Sequence, residues 1–517
     1  MRSPITCARV VSAVLAVALS SVPVFAQGEP APSVRRLSMD EAVRLALEQN
    51  LGLQVERMNP QIQDMAVAQA QSSWVPNVSS SLTNNSTNSP STSLFSGGLD
   101  RITDSAVAAE LALTQKLPTG ASYSVAWGNS RATSTNIFNT FDPLLRSNVT
   151  FSAVQPLLRN FKIDAARQQL ETTRKDREAS DLQLRSTIVL TTRNVKNAYW
   201  DLATNIANLR AQRESLDLAR RLLADNEKRV QIGTMAPIDI VEAQAEVARN
   251  DESVIVAEAN IKRAEDYLRS LIYDPSTPDF WNITIEPSDT APDPDQTLDV
   301  EGAVRRALEV RFDVQLARNG LARTDIDVRY HRNQTLPEVN AQATYSTIAA
   351  GGRELTPLTS LPIGPVTRSI FAQRSYGSVL GDVFTNAFPT WTLGITVSYP
   401  IGTSSAEANL ARSRLQHSQA ETQLRQLGLQ IATQVRDLAR QVQTNQKRIE
   451  SARAALALAE RRLQAEEKKF AAGIQTSFFV FQAQRDLGQA RTNTIRAVSD
   501  YAKSIVEFEA AQETPLQ

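Results

Sequence analysis

The 517 residues hold one cysteine, Cys7, and two histidines, His331 and His417. A disulfide framework is therefore excluded, and a metal centre built on Cys and His has too few ligands to form. No G-x-S-x-G elbow, phosphate-binding glycine loop or dinucleotide fingerprint occurs, so the chain is not expected to be an enzyme or to need a cofactor. The 55 Lys and Arg residues equal the 55 Asp and Glu residues. That leaves no basic excess to hold nucleic acid. Beyond residue 26 there is no run of 18 apolar residues, which excludes a helical membrane span there. Glycine and proline are both missing from Arg159 to Ile232.

The first 26 residues have the layout of a secretory signal. Arg2 and Arg9 lead into the apolar stretch Val10–Leu19, and Val24-Phe25-Ala26 offers small residues for cleavage after Ala26. The apolar core is too short for the ~20 residues of a spanning helix. An exported chain without such a helix is periplasmic, secreted, or in an outer membrane as a β-barrel.

The glycine- and proline-free stretch is a heptad helix. Ile188, Val195, Leu202, Leu209, Leu216, Leu223 and Val230 recur every seventh residue, a narrow seam on one face. At 1.5 Å per residue such a helix is roughly 100 Å long. It is stable only when the seam packs on other helices. Three residues after the seam positions lie mostly small and polar residues, among them Ala198, Asn205, Ala219 and Asn226. Two readings fit them: the inner side of a helical wall around water, or the solvated faces of a loosely specified bundle.

The chain is also duplicated. Leu37-Ser38-Met39-Asp40-Glu41-Ala42-Val43 returns as Leu298-Asp299-Val300-Glu301-Gly302-Ala303-Val304, an offset of 261. The seam returns at offset 240 as Val435, Val442, Ile449, Leu456, Leu463 and Phe470, and Gly233 lies over Gly473. Each of these glycines stands where a left-handed helix cap is expected. The expected organisation is a signal at 1–26, a first repeat at 37–273, a Pro-rich linker at 274–297 and a second repeat at 298–512. The first repeat has a helix to about Ser73, strands in 76–156, a long helix 159–232 and a return helix 238–272. The second has strands in 337–400, a long helix 403–472 and a return helix 475–511. The first helix and the return helix together equal the long helix in length. Each repeat is therefore expected to be a rod of two half-length helices stacked against one full-length helix.

All the length change between repeats falls where residues alternate with period two, as in Trp391, Leu393, Ile395, Val397 and Tyr399. Four strands are read: Asn148–Ala153, Val339–Tyr345 and Trp391–Tyr399, with Val78–Thr83 the weakest of them. Ala106–Gln115 and Ser122–Trp127 suggest a further hairpin, which the pattern does not assign to the same sheet. Asn84–Gly98 and Ala349–Arg353 read as connectors, and Trp281–Ile285 as a short strand. Four strands per chain cannot close a barrel, and open edges in lipid leave backbone groups unpaired. A membrane sheet of this kind must be shared, and three chains would supply twelve strands.

The chain resembles the outer-membrane efflux proteins, the TolC-like channel family. The resemblance rests on the helix starts LSMDEAVRLALEQN and LDVEGAVRRALEV, the strand-to-helix segments SAVQPLLRN and VSYPIGTSS, and the tips VQIGTMAPIDIVEAQ and FAAGIQTSFFVFQAQ. Their order, duplication and spacing are specific where no single motif is. The resemblance implies a mainly α chain whose duplicated helical hairpins form a periplasmic α-barrel, with strands contributing to a shared trimeric, twelve-stranded transmembrane β-barrel. It implies a homotrimer in outer-membrane lipid, a periplasmic adaptor contacting the hairpin tips at Gly233, Thr234, Gly473 and Ile474, and an inner-membrane transporter that supplies the energy. The implied function is a passive exit channel for efflux or type I secretion.

Some relatives ring the periplasmic entrance with acids near the second tip. Here that tip carries Phe479 and Gln482, while the first tip offers Asp239 and Glu242 at the matching positions. An acidic gate is thus expected from the first repeat; the plainer alternative makes both acids solvated tip residues. A periplasmic coiled-coil adaptor would account for the heptads but not for the duplicated strands.

Overall fold

A computed structural model describes residues 34–91, 100–276, 280–290, 292, 298–358, 368–402 and 404–513. The expected signal, its cleavage at Ala26, and residues 277–279, 291 and 293–297 of the expected linker lie outside these. Among the described residues no helix is long and apolar enough to cross a membrane.

The two longest elements are α3 (Ala165–Gln231) and α8 (Ser405–Ala471), each of 67 residues. Each begins later than the sequence pattern suggests. Asp164 caps α3 by accepting the Arg167 N–H at 2.8 Å, and Asn160 just before it takes a left-handed φ of 65°. The Arg167 guanidinium donates to the carbonyls of Asn160, Phe161 and Lys162, tying the entering turn to the first helical turn. Ser404 caps α8 through the Glu407 N–H. The return helices are α4 (Ile238–Ile272) and α9 (Ser477–Ala511).

The first helix of each repeat is broken, where the sequence reading expects one continuous helix. α1 (Met39–Gln49) and α2 (Leu51–Gln71) meet at Asn50, and α5 (Val300–Val310) and α6 (Phe312–Gln334) meet at Arg311, 261 residues on. Both junction residues have extended backbone. The Asn50 side chain accepts the Leu53 N–H and donates to the Leu271 carbonyl, so the break is satisfied by the end of α4. Arg311 likewise donates to the Ala511 carbonyl at the end of α9. The half-length helices therefore stack end to end, α4 on α2 and α9 on α6, as the length arithmetic requires.

The helices form a wall one helix thick. On the side near the sheet its order is α2, α3, α6, α8; towards the tips it is α4, α3, α9, α8. Val195 and Leu202 on α3 and Val435, Val442 and Ile449 on α8 are at most 2% exposed. Each such residue contributes about 1.5–3 kcal/mol on burial. Asn226 and Asn445, at the polar companion positions, are buried and donate to the Asp239 and Asp500 carbonyls across their hairpins. These companions hold helix to helix and do not face water. Ion pairs stitch α3 to both neighbours: Arg213–Glu258 and Arg220–Asp251 to α4, Arg491–Glu214 and Lys503–Asp201 to α9.

Midway along the wall, β1 (Val34–Leu37) pairs in parallel with β6 (Thr284–Pro287). The sequence pattern marks no strand before Leu37, and the short strand expected at Trp281–Ile285 lies at Thr284–Pro287. The fully buried Tyr199 hydroxyl donates to the Leu37 carbonyl and accepts the Ser288 and Asp289 N–H groups, at 3.0–3.1 Å. Burial pushes its phenol up to about 12, against the two N–H donors that favour the ionised form. Tyr199→Phe strands the Asp289 N–H, while the Ser288 N–H keeps the Leu37 carbonyl at 3.1 Å, and is expected to cost about 1–3 kcal/mol. Faster cleavage of the 274–297 segment by a protease would report it; an unchanged cleavage rate would show that the hydroxyl does not hold the strap.

At the end of α9, Glu513 accepts the Phe312 N–H at 2.7 Å. Burial raises its carboxyl to about 7, while that N–H and Arg311 pull it down. A raised carboxyl stabilises the fold fully below its unfolded value near 4.5, and that contribution is lost as pH rises through about 7. Resistance of the chain to urea unfolding should therefore fall between pH 5 and pH 8, and Glu513→Gln should flatten the difference.

The sheet departs most from expectation. It contains β2 (Asn77–Pro90), β3 (Arg101–Lys116), β4 (Ser122–Ser134), β5 (Phe141–Pro156), β7 (Glu338–Leu355), β8 (Ile370–Arg374) and β9 (Pro389–Ser398). All neighbours are antiparallel, in the order β2-β3-β4-β5-β7-β9, with the short β8 pairing the far end of β7 beyond β9. Among the described residues the sheet thus has six long strand positions, not four. The hairpin β3–β4 is central to the sheet. The expected connectors Asn84–Gly98 and Ala349–Arg353 are strand through Pro90 and throughout, respectively. Their Asn, Ser and Gly residues read as loop composition, but cross-strand pairing overrides weak local propensity. Between β8 and β9, α7 (Tyr376–Phe384) packs Val379 and Val383 onto Leu145, Val149 and Ala349.

Candidate channel wall and entrance

Pairing register gives the sheet two opposite faces. One row runs Val78, Leu113, Val125, Phe151, Tyr345 and Trp391, one residue from each long strand in order. The next row, one residue along, runs Ser79, Ala112, Ala126, Thr150, Ser346 and Thr390. One residue the other way lies Asn77, Thr114, Ser124, Ser152, Thr344 and Thr392. Apolar and polar rows therefore alternate across the full width, as in a strand wall with lipid on one side and water on the other. On β9, Trp391, Leu393, Ile395 and Val397 are all about 70% exposed in the single chain.

At the other end of the wall lie the hairpin tips. Gly233 (φ +77°) and Gly473 (φ +71°) take left-handed backbone that a Cβ would strain. At each tip two carbonyls of the last turn are closed by a Schellman pair: Gly233 to Val230 and Thr234 to Arg229, Gly473 to Phe470 and Ile474 to Lys469. The Thr234 hydroxyl also donates to the Arg229 carbonyl, and the Ile474 side chain is exposed. Lys228, Arg229, Lys468 and Lys469 in the last turns complement the helix dipoles.

The two tips touch. Arg229 lies 4.3 Å over the Phe470 ring and donates to its carbonyl, and Leu222, Ala243, Phe470, Val480 and Phe481 share one apolar cluster. Of the candidate entrance residues, Asp239 is half-buried in this junction and accepts from the Ser477 hydroxyl at 3.5 Å. Glu242 is exposed, Gln482 is half-buried, and Phe479 is exposed with its ring edge-on to Phe478. The structure thus joins Asp239 to the second hairpin and leaves Glu242 and Phe479 free at the surface. Ser477, fully buried, was missed in the sequence: as a small residue just after a helix cap it carries no signal of its own. Among the described residues no group of acids, histidines or cysteines converges in a metal-binding cluster.

A family model described as outer membrane efflux protein matches residues 42–272 and 303–511. No curated protein sequence matches the chain. Several solved structures share the fold. A membrane protein from Pseudomonas aeruginosa is 15% identical, with a TM-score of 0.65 over 92% of this chain and 93% of that one. The outer membrane protein VceC of Vibrio cholerae is 16% identical, with a TM-score of 0.63 over 93% and 97%. The Campylobacter jejuni CmeC outer membrane channel is 14% identical, with a TM-score of 0.62 over 92% and 85%. With both repeats matched, a two-faced sheet at one end and paired helical hairpins at the other, the chain belongs to the outer membrane efflux protein family and is a TolC-like efflux channel of the outer membrane.

Proposed function

We propose that the chain works as a homotrimeric passive exit duct, fed at its hairpin tips by a periplasmic adaptor and an inner-membrane transporter. One observation carries this: the sheet and the helical wall are open along the same two flanks. α2 leads into β2 on one flank, and β9 leads into α8 on the other. A neighbouring copy that covers one pair of edges therefore covers both, and repetition closes the sheet and the wall together. The α2 flank bears Val55, Met58, Ile62 and Met65 at heptad spacing, all exposed in the single chain. An adaptor or spacer function accounts for the helices alone and leaves the two-faced sheet without a role.

In this duct the turns at Gly233, Thr234, Gly473 and Ile474 are the surface offered to the adaptor. Asp239 and Glu242 supply the negative charge at the entrance, beside Phe479 and Gln482 of the second tip. Single-channel recording of the detergent-extracted oligomer in a planar bilayer tests both parts. Discrete conductance steps are expected, with a cation preference that Asp239→Asn with Glu242→Gln lowers several-fold. Steps with unaltered ion preference would make these acids solvated tip residues.

A further inference from the structure

Resting on the trimeric reading, we infer that the transmembrane barrel has eighteen strands, six from each copy, closed by β9 of one copy pairing with β2 of the next. Three features of the chain lead there. First, the apolar row spans all six long strands without interruption, from Val78 on β2 to Trp391 on β9, and polar rows flank it over the same width. A hairpin tucked inside the pore or set in water would have no reason to continue the lipid-facing side. β3 carries Val107, Leu111 and Leu113 on this face, and the hairpin partner β4 carries Val125 and Trp127.

Second, the directions close. Six strands with antiparallel neighbours leave β2 and β9 running opposite ways. β9 of one copy therefore meets β2 of the next in antiparallel register, and no edge remains. Among the described residues β2 pairs only with β3, and β9 only with β7. In lipid such edges must be paired.

Third, the widths agree. Strands ~4.8 Å apart and tilted by about 40° each occupy about 6 Å of circumference, so six span about 38 Å. Four helices at 8–10 Å spacing span about 32–40 Å. The sheet and the wall of one copy thus cover the same arc. An eighteen-stranded barrel has a backbone radius of about 18 Å, against about 12 Å for twelve strands. The outer pore is then about twofold larger in cross-section, wide enough that the hairpin tips and not the barrel select by size.

Electron cryo-microscopy of the detergent-extracted wild-type oligomer counts the strands directly. Eighteen strands at a radius near 18 Å are expected. A trimer with a twelve-stranded wall, two strands per copy folded away from it, overturns the inference and leaves the exit-duct reading standing. A preparation with no closed oligomer overturns both. A cysteine matrix gives an independent readout, because Cys7 is the only cysteine and lies in the expected signal. Ser79→Cys, Ser81→Cys and Thr83→Cys on β2, each combined with Thr392→Cys, Thr396→Cys or Ser398→Cys on β9, should yield at least one disulfide-linked subunit ladder. An intact trimer in which no pair links would show that β2 and β9 are not neighbours.

Discussion

Met58→Asp combined with Ile62→Asp abolishes the oligomer and leaves the hairpins of each chain folded. Both residues are exposed on the α2 flank, between Val55 and Met65. Burial of each would contribute about 1.5–3 kcal/mol per interface. An aspartate there forfeits that and buries a charge with no partner, which costs several kcal/mol more. Two substitutions at each of three interfaces exceed what a shared surface of this kind can lose. Migration on a native gel should fall from trimer to monomer, with helical circular dichroism retained. A double variant that still runs as a trimer would place the copy–copy seam elsewhere, with α8 and its exposed Leu415 and Leu429 as the next surface to test.

Ile395→Arg prevents insertion into the outer membrane, while Thr392→Arg on the same strand is tolerated. The two residues sit three apart on β9 and therefore on opposite faces. Ile395 lies midway between Trp391 and Tyr399 along the apolar side, where an arginine costs about 2–4 kcal/mol per copy. Thr392 belongs to the polar row, where a long cation extends into water. Outer-membrane fractionation with heat-modifiable migration separates them: the first variant should be depleted from the membrane by tenfold or more and the second should match wild type. Equal loss in both would mean that β9 does not divide lipid from water.

The long helices were legible because their signals are local and repeated. The seam from Ile188 to Val230 follows from helix periodicity alone, and the Gly233 and Gly473 turns follow from the need for a left-handed cap. The duplication was legible for the same reason, since aligned offsets need no knowledge of contacts. The break at Asn50 was not, because asparagine is tolerated in helices and the break exists to meet the Leu271 carbonyl 221 residues away. Asp239 and Ser477 were equally hidden as a pair: their approach depends on how one hairpin lies on the other.

The strand count shows the same division. β9 announces itself because Trp391, Leu393, Ile395 and Val397 alternate with small polar residues. β2 does not, since Ser79, Ser80, Ser81 and Asn84 have weak strand propensity and only Val78 and Leu82 mark its apolar side. Its strand character comes from fourteen residues paired to β3. The two repeats, the heptad rods and their turning points can be read from residue order, because each is encoded within a few turns of chain. That six strands form one two-faced sheet, that its flanks coincide with those of the helical wall, and that Asn226 and Asn445 bind helices and not water follow from packing alone. Those are consequences of register and packing between segments far apart in the chain, which local pattern does not record.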